Sequence, residues 1–205
     1  MSKPDPASRP YASAKRSAKA AETRERLIAA AATVLRDQGA AALSLEAVAS
    51  VAGVTRLTVY HQFGSRRGLL EALFDRLAEA GGMMDIASAM GAPDPRDGLA
   101  RLVKVFCAFW SSDDSLPGLY AVAGIDPELM EGLNARNARR RELLAALISR
   151  VGARDGAAEQ DVIDILFALT SFAMFQAMAS GGRSPDSVCT LLQGLCDQTL
   201  AQFAI

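Results

Sequence analysis

The chain has 205 residues, half of them hydrophobic and 22% charged, a composition typical of a globular protein with a substantial core. Its net charge of -1 hides an asymmetry, because residues 1–67 carry eleven Lys/Arg and five Asp/Glu, whereas residues 68–205 carry eleven and eighteen. A basic N-terminal third favours contact with nucleic acid at that end. The cysteines Cys107, Cys189 and Cys196 match no zinc-ligand spacing or disulfide framework, and no apolar signal segment begins the chain. We therefore expect a cytoplasmic protein without a metal.

Residues 1–20 are rich in Pro, Ser, Ala and basic side chains, and we expect them to be disordered in the absence of DNA. Such a segment is either a solubilising tail or a basic arm that contacts DNA phosphates or the minor groove. The first helix is predicted from Thr23 to Gln38, where apolar residues recur at helical spacing, and Gly39 stands at its C-terminal cap.

The next segment predicts two short helices and the start of a fourth. Ser44 is a good N-cap for the second helix, Gly53 breaks the chain, and the third helix is predicted over Thr55–Phe63. Ser65 opens the fourth helix. This layout is typical of a helix-turn-helix, which places one short helix in the DNA major groove.

The third helix carries the side chains expected to contact DNA. Thr55, Arg56 and Thr58 lie near its N-terminus, from which Arg can bind guanine and Thr can contact the thymine methyl group. Tyr60 and His61 can donate to phosphate oxygens. The alternative is that these residues form the polar face of an ordinary surface helix.

Arg66 and Arg67 fall in the first turn of the fourth helix, where the helix dipole favours acids. Two cations at this position are reasonable if a DNA phosphate docks there. The alternative is a pair of solvated surface arginines.

The rest of the chain predicts an apolar helical bundle without strands. Counting a short helix near Pro117, the all-α fold has about nine helices, and its domains are a basic arm (1–20), a helix-turn-helix DNA-binding domain (21–67) and a ligand-binding and dimerisation domain (68–205). The remaining predicted helices are Asp97–Ser111, Asp126–Val151, Ala158–Ser180 and Pro185–Phe203, and Met83–Met90 is a short helical piece outside that count. The uncharged stretch Ile165–Gly182 has about the minimum length of a membrane span, but we expect a buried helix and no membrane contact.

Aromatic and Met side chains in this body can line an adaptable apolar cavity. Each is also an ordinary core residue by type. The ligand that they favour is small and largely apolar, although Arg136 and Arg140 can meet an anion if they do not simply form a solvated face. The candidate pocket residues are Phe106, Trp110, Tyr120, Phe167 and Met174.

The last two predicted helices are apolar on more than one face, so that one face can serve the core and another a partner helix. A two-fold four-helix dimer interface is the favoured use, and a fully buried hairpin in a monomer is the alternative. The candidate interface residues are Leu169, Phe172, Leu192 and Leu195. Cys189 and Cys196 are seven residues apart and lie on one helical face. They are either a thiol sensor or inert buried thiols.

The run A-G-V-T-R-L-T-V-Y-H-Q-F from Ala52 to Phe63, followed by Gly64-Ser65-Arg66 and Leu69-Leu70, resembles the N-terminal domain of the tetracycline-repressor-like (TetR) family of transcriptional regulators. The resemblance covers residues 23–77. It implies a homodimer, a palindromic double-stranded DNA operator and repression relieved by a small-molecule effector. It also implies that Thr55, Arg56 and Thr58 lie near bases, and that the DNA backbone contacts are Ser44, Tyr60, His61 and Arg66.

Two positions depart from the family pattern. Leu57 stands where the family usually has Gly or another small residue, which affects close approach to DNA. Arg66 replaces the usual Lys and keeps the charge without the geometry.

An enzyme is not expected, and neither is a cofactor. The only histidine lies in the DNA-reading helix, and no metalloprotease, nucleophile-elbow, P-loop or dinucleotide motif occurs. The favoured function is a ligand-responsive repressor. The alternatives are an activator and a ligand-independent architectural DNA-binding protein.

Overall fold

A computed structural model describes residues 8–152 and 156–203 of the chain. Those residues form eleven α-helices with no strand, which confirms the all-α fold but exceeds the expected nine helices. Short 3₁₀ turns precede α2 and α5. The helices are α1 (Ser8–Gln38), α2 (Leu45–Ala52), α3 (Arg56–Phe63), α4 (Arg66–Ala80), α5 (Ile86–Met90), α6 (Pro95–Trp110), α7 (Leu116–Ala123), α8 (Pro127–Val151), α9 (Gly156–Leu169), α10 (Phe172–Ala179) and α11 (Pro185–Gln202).

The first helix is longer than the sequence predicts. It begins at Ser8 instead of Thr23, so the disorder expected for residues 1–20 is wrong from Ser8 onward. The physical reason is that this segment is rich in Ala, Lys and Arg, which have high helix propensity and extend a helix already nucleated downstream. Residues 1–7 of the predicted arm lie outside the described residues.

Helices α1 to α4 form a small bundle around completely buried side chains. Leu27 and Val34 of α1 meet Val48 of α2, Val59 of α3 and Leu69 of α4 in this core. Helix α1 packs against both α2 and α4. Helix α3 therefore packs against an apolar core that it shares with α1, α2 and α4, and this packing fixes its orientation.

Local hydrogen bonds begin each short helix where the sequence predicts. The Oγ atoms of Ser44 and Ser65 accept from the backbone N–H groups of residues 47 and 68 at 3.1 and 3.0 Å, and Thr55 accepts from residue 58 at 3.2 Å. Gly53 ends α2 with φ 65° and ψ 39°, a left-handed conformation that suits glycine. These caps confirm the helix-turn-helix layout.

The C-terminal body is built around α6. This helix packs against α5, α8 and α11, while α9 packs against α8 and α11. Leu102, Phe109, Leu144 and Leu166 are fully buried there. The body joins the N-terminal bundle through α4, which packs against α8, and through α7, which packs against α1.

The contact between α7 and α1 depends on a glycine. A Cβ atom on Gly118 would lie 3.0 Å from the carbonyl oxygen of Leu35 and 3.2 Å from its Cβ. Only a residue without a side chain allows this approach. The short helix predicted near Pro117 is thus present as α7 and packs closely on the N-terminal bundle.

The helix predicted over Ala158–Ser180 is wrong as a single element. It is divided at Thr170–Ser171 into α9 and α10, which are bent by 51° relative to each other. Thr170 Oγ1 donates back to the Leu166 carbonyl at 2.8 Å, and Ser171 Oγ caps α10 by accepting from Met174 N–H at 3.1 Å. These local hydrogen bonds compete with a continuous helix. In the described part of the chain no single helix is long and apolar enough to cross a membrane; the bent pair passes that test only when its two helices are combined.

Candidate functional site

The outer face of α3 carries most of the predicted DNA contacts. Thr55, Arg56, Tyr60 and His61 are exposed, and Leu57 has 59% of its surface exposed on the same helix. The opposite side is locked by Val59, which is completely buried. Because α3 is short and fixed along one side only, its other side is free to enter a groove.

Thr58 is the exception among the predicted base contacts, because it is only half-exposed. Its Oγ1 lies 3.0 Å from Oγ1 of Thr55, and its N–H donates to that same oxygen. The two threonines therefore form one hydrogen-bonded unit at the N-terminus of α3.

Arg56 has a carboxylate partner on the preceding helix. Its Nε lies 2.8 Å from Oε1 of Glu46, and both side chains are more than half exposed. An exposed ion pair of this kind contributes little to stability. It holds the guanidinium beside α2 and leaves it accessible to a competing base or phosphate.

Ser44 is the N-cap of α2. Its Oγ accepts the hydrogen bond from Ala47 N–H, and a hydroxyl group that accepts in this way still has a proton to donate. The position at the first turn of α2 is thus compatible with the predicted contact to a DNA phosphate.

Arg24 of α1 supports α3, a role that was not predicted from the sequence. Its Nη1 donates to the carbonyl oxygen of Gln62 at 3.1 Å, and its guanidinium lies 4.5 Å from the ring centroid of Phe63. A cation at the C-terminal end of a helix is favoured by the helix dipole. The only available signal was an arginine on α1, with a partner 38 residues away.

Arg66 and Arg67 at the start of α4 both have acidic partners. Arg66 Nη1 donates to Asp126 Oδ2 at 3.1 Å. Arg67 Nε donates to Glu71 Oε1 at 2.8 Å, and its Nη1 lies 3.9 Å from Oε2 of Glu131. In this structure Arg66, the predicted phosphate-binding cation, therefore contacts the C-terminal body.

A pocket of about 590 Å³ lies between α4, α6, α7 and α8, a size suited to a small organic ligand. The predicted residues Phe106, Trp110 and Tyr120 line it. Phe167 and Met174 lie outside its lining; Phe167 instead packs beneath the guanidinium groups of two arginines of α8. The prediction of these two as pocket walls is wrong because the break after α9 redirects the chain.

Aromatic rings form one side of this pocket. The ring centroids of Trp110 and Tyr120 are 5.7 Å apart in an edge-to-face arrangement, and Phe172 stacks on Tyr120 at 4.3 Å. Trp110 Nε1 donates to the carbonyl oxygen of Thr170 at 3.2 Å. Burial raises the pKa of the Tyr120 phenol, while the positive charges of Arg140 and Arg136 act in the opposite direction.

The same pocket contains residues of α4, the helix that follows the recognition helix. Phe74 and Asp75 line it together with Arg136 of α8. Arg136 Nη2 donates to Asp75 Oδ1 at 2.8 Å, and its guanidinium lies 4.2 Å from the ring centroid of Phe74. The pocket wall and the support of α3 are thus parts of one helix.

Comparisons with known proteins agree with this arrangement. Residues 27–73 match the family of "Bacterial regulatory proteins, tetR family". The HTH-type transcriptional regulator CymR of Pseudomonas putida is 32% identical over 157 residues, which is 73% of this chain and 76% of CymR. The chain belongs to the TetR family of bacterial transcriptional regulators.

Solved TetR-like structures share the fold. NalD of Pseudomonas aeruginosa, described as the secondary repressor of the MexAB-OprM multidrug efflux pump, is 19% identical with a TM-score of 0.70, over 88% of this chain and 96% of NalD. SmeT in complex with triclosan is 22% identical with a TM-score of 0.67, over 88% of this chain and 91% of SmeT.

In this TetR-family chain the four residues predicted for a dimer interface separate into two groups. Leu169 and Leu195 are partly exposed. Leu192 is only 1% exposed, so it belongs to the protomer's own interior and its placement at an interface is wrong. Phe172 is partly exposed and stacks on Tyr120, and its placement at an interface stays a prediction. Helical spacing alone could not distinguish the two apolar faces of α11.

The remaining candidate chemistry is limited. Among the described residues no group of three or more His, Cys, Asp or Glu side chains is arranged to hold a metal ion. Cys107 and Cys196 are buried free thiols, and Cys189 is partly exposed.

Proposed function

We propose that this protein is a homodimeric repressor that binds a palindromic DNA operator and is released from it by a small-molecule ligand. The observation that carries the proposal is the position of α4. Its N-terminus directly follows the recognition helix, while Phe74 and Asp75 in its middle form part of the pocket wall. A ligand that alters the pocket therefore acts on the element that orients α3.

In the DNA-bound state, Thr55, Arg56 and Thr58 are the proposed base contacts, since they occupy the N-terminal half of α3. The proposed phosphate contacts are Ser44, Tyr60, His61 and Arg66. The exposure of Thr55, Arg56, Tyr60 and His61 and the basic N-terminal end of the chain support this division.

The proposed dimer forms through the outer face of α9 and α11. Ile165 and Leu191 are 38% and 41% exposed there, beside the partly exposed Leu169 and Leu195. Packing this face on a second copy would bury apolar side chains and place two recognition helices for half-sites about one DNA turn, roughly 34 Å, apart. Two-fold symmetry of the protein matches a palindromic operator.

The proposed release is a shift between two conformers. A ligand in the pocket favours a position of α8 in which two ion pairs to α4 change. These are Arg136–Asp75, made by α8 itself, and Arg66–Asp126, made by the turn before α8. The tilt of α4 then moves α3 out of register with the partner's recognition helix. The repressor role described for NalD and the triclosan complex of SmeT support this reading by analogy of fold.

The first test is fluorescence anisotropy of the protein with duplex DNA from immediately upstream of its own gene, against a shuffled duplex, across a salt series. Saturable binding at two protomers per site, well above the shuffled control, is expected. Equal and steeply salt-dependent binding to both duplexes would instead favour an architectural protein. In vitro transcription from the same DNA then separates repressor from activator, because the protein should lower the transcript level.

A further inference from the structure

Arg140 is a buried cation in the wall of the pocket. It lies on α8, is only 7% exposed, and shares the pocket lining with Trp110 and Tyr120. Arginine is rarely buried to this degree without a partner of opposite charge, because removing its charge from water is costly. Its surroundings therefore indicate what the pocket is built to hold.

No carboxylate of the described residues lies within ion-pair distance of Arg140. Its Nη1 donates to the carbonyl oxygen of Thr170, at 2.6 Å, and its guanidinium lies 4.2 Å from the ring centroid of Phe167. Its Nε is buried and has no hydrogen-bond acceptor. Burial lowers the pKa of Arg140 to about 10, so the group is still charged at neutral pH.

The neighbouring arginines are different. Arg136 is paired with Asp75 at 2.8 Å, and Arg141 is paired with Asp164 outside the pocket lining. Arg139, which also lines the pocket, is exposed to water. Arg140 is thus the buried guanidinium that lacks a counter-charge along this wall.

The acidic residues of the pocket do not supply that counter-charge. Asp75 already binds Arg136, and Glu142 is exposed. The lining therefore contains three arginines and two acids, next to a largely aromatic surface. A cationic ligand would meet like charge, and a neutral ligand would leave Arg140 uncompensated.

We propose that the effector of this protein is a small aromatic monocarboxylate, whose carboxylate pairs with Arg140 while its ring packs against Trp110, Phe106 and Tyr120. A monoanion fits best because one buried cation lacks a partner, and guanidinium binds carboxylate through two parallel hydrogen bonds. The identification of the ligand as an effector rests on the proposed function, whereas its binding does not. The phenol of Tyr120 interacts electrostatically with Arg140 and can donate a hydrogen bond to the same carboxylate.

The test compares acids with their neutral isosteres by isothermal titration calorimetry. The probes are benzoate, phenylacetate, 3-phenylpropanoate and naphthalene-2-carboxylate, each beside its carboxamide. At least one acid should bind about 10- to 100-fold more tightly than its amide, the range for a charge-assisted hydrogen-bonded pair. If no acid binds better than its amide, the proposal is overturned.

Variants assign the preference to one side chain. Arg140→Met should abolish the preference for acid over amide, and Arg140→Lys should retain part of it. Arg139→Met, which removes an exposed arginine from the same pocket, is the matched control and should leave the preference intact. Circular dichroism shows whether the Arg140→Met protein is folded. If the folded variant still prefers acid over amide, Arg140 is not the residue that binds the carboxylate. If the variant does not fold, the comparison of acids with amides on the wild-type protein still tests the ligand class.

The operator assay keeps the two proposals apart. If the acid binds and weakens operator binding, both stand. If an amide releases the operator as well as its acid does, the ligand class is wrong and the repressor function stands. If the protein does not distinguish its operator from the shuffled duplex, the repressor function fails, while the calorimetric comparison still decides the ligand class.

Discussion

Arg66 of α4 donates to Asp126, 3.1 Å away in the turn before α8, although the two residues are 60 positions apart in the chain. The pair joins the DNA-binding end to the body that contains the pocket. Arg66 is also one of the proposed phosphate contacts, and Asp126 and a phosphate would compete for the same guanidinium. We therefore expect the ion pair to oppose DNA binding, and any movement of α8 that strengthens it to promote release.

Replacing Asp126 by Asn should tighten operator binding by about 2- to 5-fold, the range expected for loss of a partly exposed ion pair. The asparagine side chain retains an oxygen that can accept from Leu129 N–H at the start of α8, so the helix should be preserved. Anisotropy titrations measure the change. Asp186→Asn, at the distant N-terminus of α11, is the control, and weaker binding by Asp126→Asn would disprove the competition.

Arg56→Ala should weaken operator binding by about 10- to 100-fold, because a bidentate base contact contributes about 1–3 kcal/mol. The loss should be much smaller on shuffled DNA. Glu46→Gln should instead tighten operator binding, since this change releases Arg56 from its ion pair and deletes a negative charge near the phosphates. Arg101→Ala, an exposed arginine of α6, serves as control. Equal losses on both duplexes would make Arg56 a phosphate contact.

The helix-turn-helix could be predicted because its signals are local. Ser44, Gly53 and Ser65 each determine the backbone within about one helical turn of themselves, and the structure has a helix end at each. The structure also gives α3 a buried side and an exposed side, with Val59 buried and the predicted phosphate contact Tyr60 exposed.

The pocket could not be predicted in the same way, because its key contacts join distant parts of the chain. The break at Thr170 exposes a carbonyl group to which both Trp110 and Arg140 donate. An apolar run with helical spacing gives no sign of that break. A helical wheel then places Arg140 on a solvated face, whereas the bent chain buries it.

Gly53→Ala should destabilise the N-terminal bundle by about 1–2 kcal/mol, because a Cβ atom is disfavoured at φ 65°. No neighbouring atom lies within 4 Å of the added carbon, so the effect isolates backbone strain. Gly124→Ala is the control, since Gly124 has φ -67° and ψ -18°. In urea denaturation, Gly124→Ala should leave the free energy of unfolding unchanged or raise it. Equal losses of stability in the two variants would refute the strain argument.

Leu191→Glu should convert the protein to a monomer at micromolar concentration, because it places a charge in the proposed apolar interface. Sedimentation velocity measures the change, and operator affinity should fall at least about 10-fold because two linked half-sites are lost. Met84→Glu is the control: Met84 is 77% exposed but lies on the turn before α5. A dimer that persists in Leu191→Glu would exclude this face.

Cys189 should be the thiol that reacts first with iodoacetamide. A hydrogen bond donated by the Cys107 thiol, together with the positive charge of Lys104, lowers the pKa of Cys189 to about 7. The same hydrogen bond raises the pKa of Cys107, and burial raises that of Cys196 to about 12. Because the thiolate is the nucleophile, labelling of Cys189 should rise with pH to half its maximum near pH 7.

Mass spectrometry of tryptic peptides after timed alkylation measures each cysteine separately. At pH 7.5 Cys189 should be mostly thiolate, whereas Cys107 and Cys196 should be protonated and protected by burial. Cys107→Ala removes the donated hydrogen bond, so the midpoint for Cys189 should move towards the ordinary thiol value of about 8.5. An unchanged midpoint in this variant would show that Cys107 does not set the reactivity of Cys189.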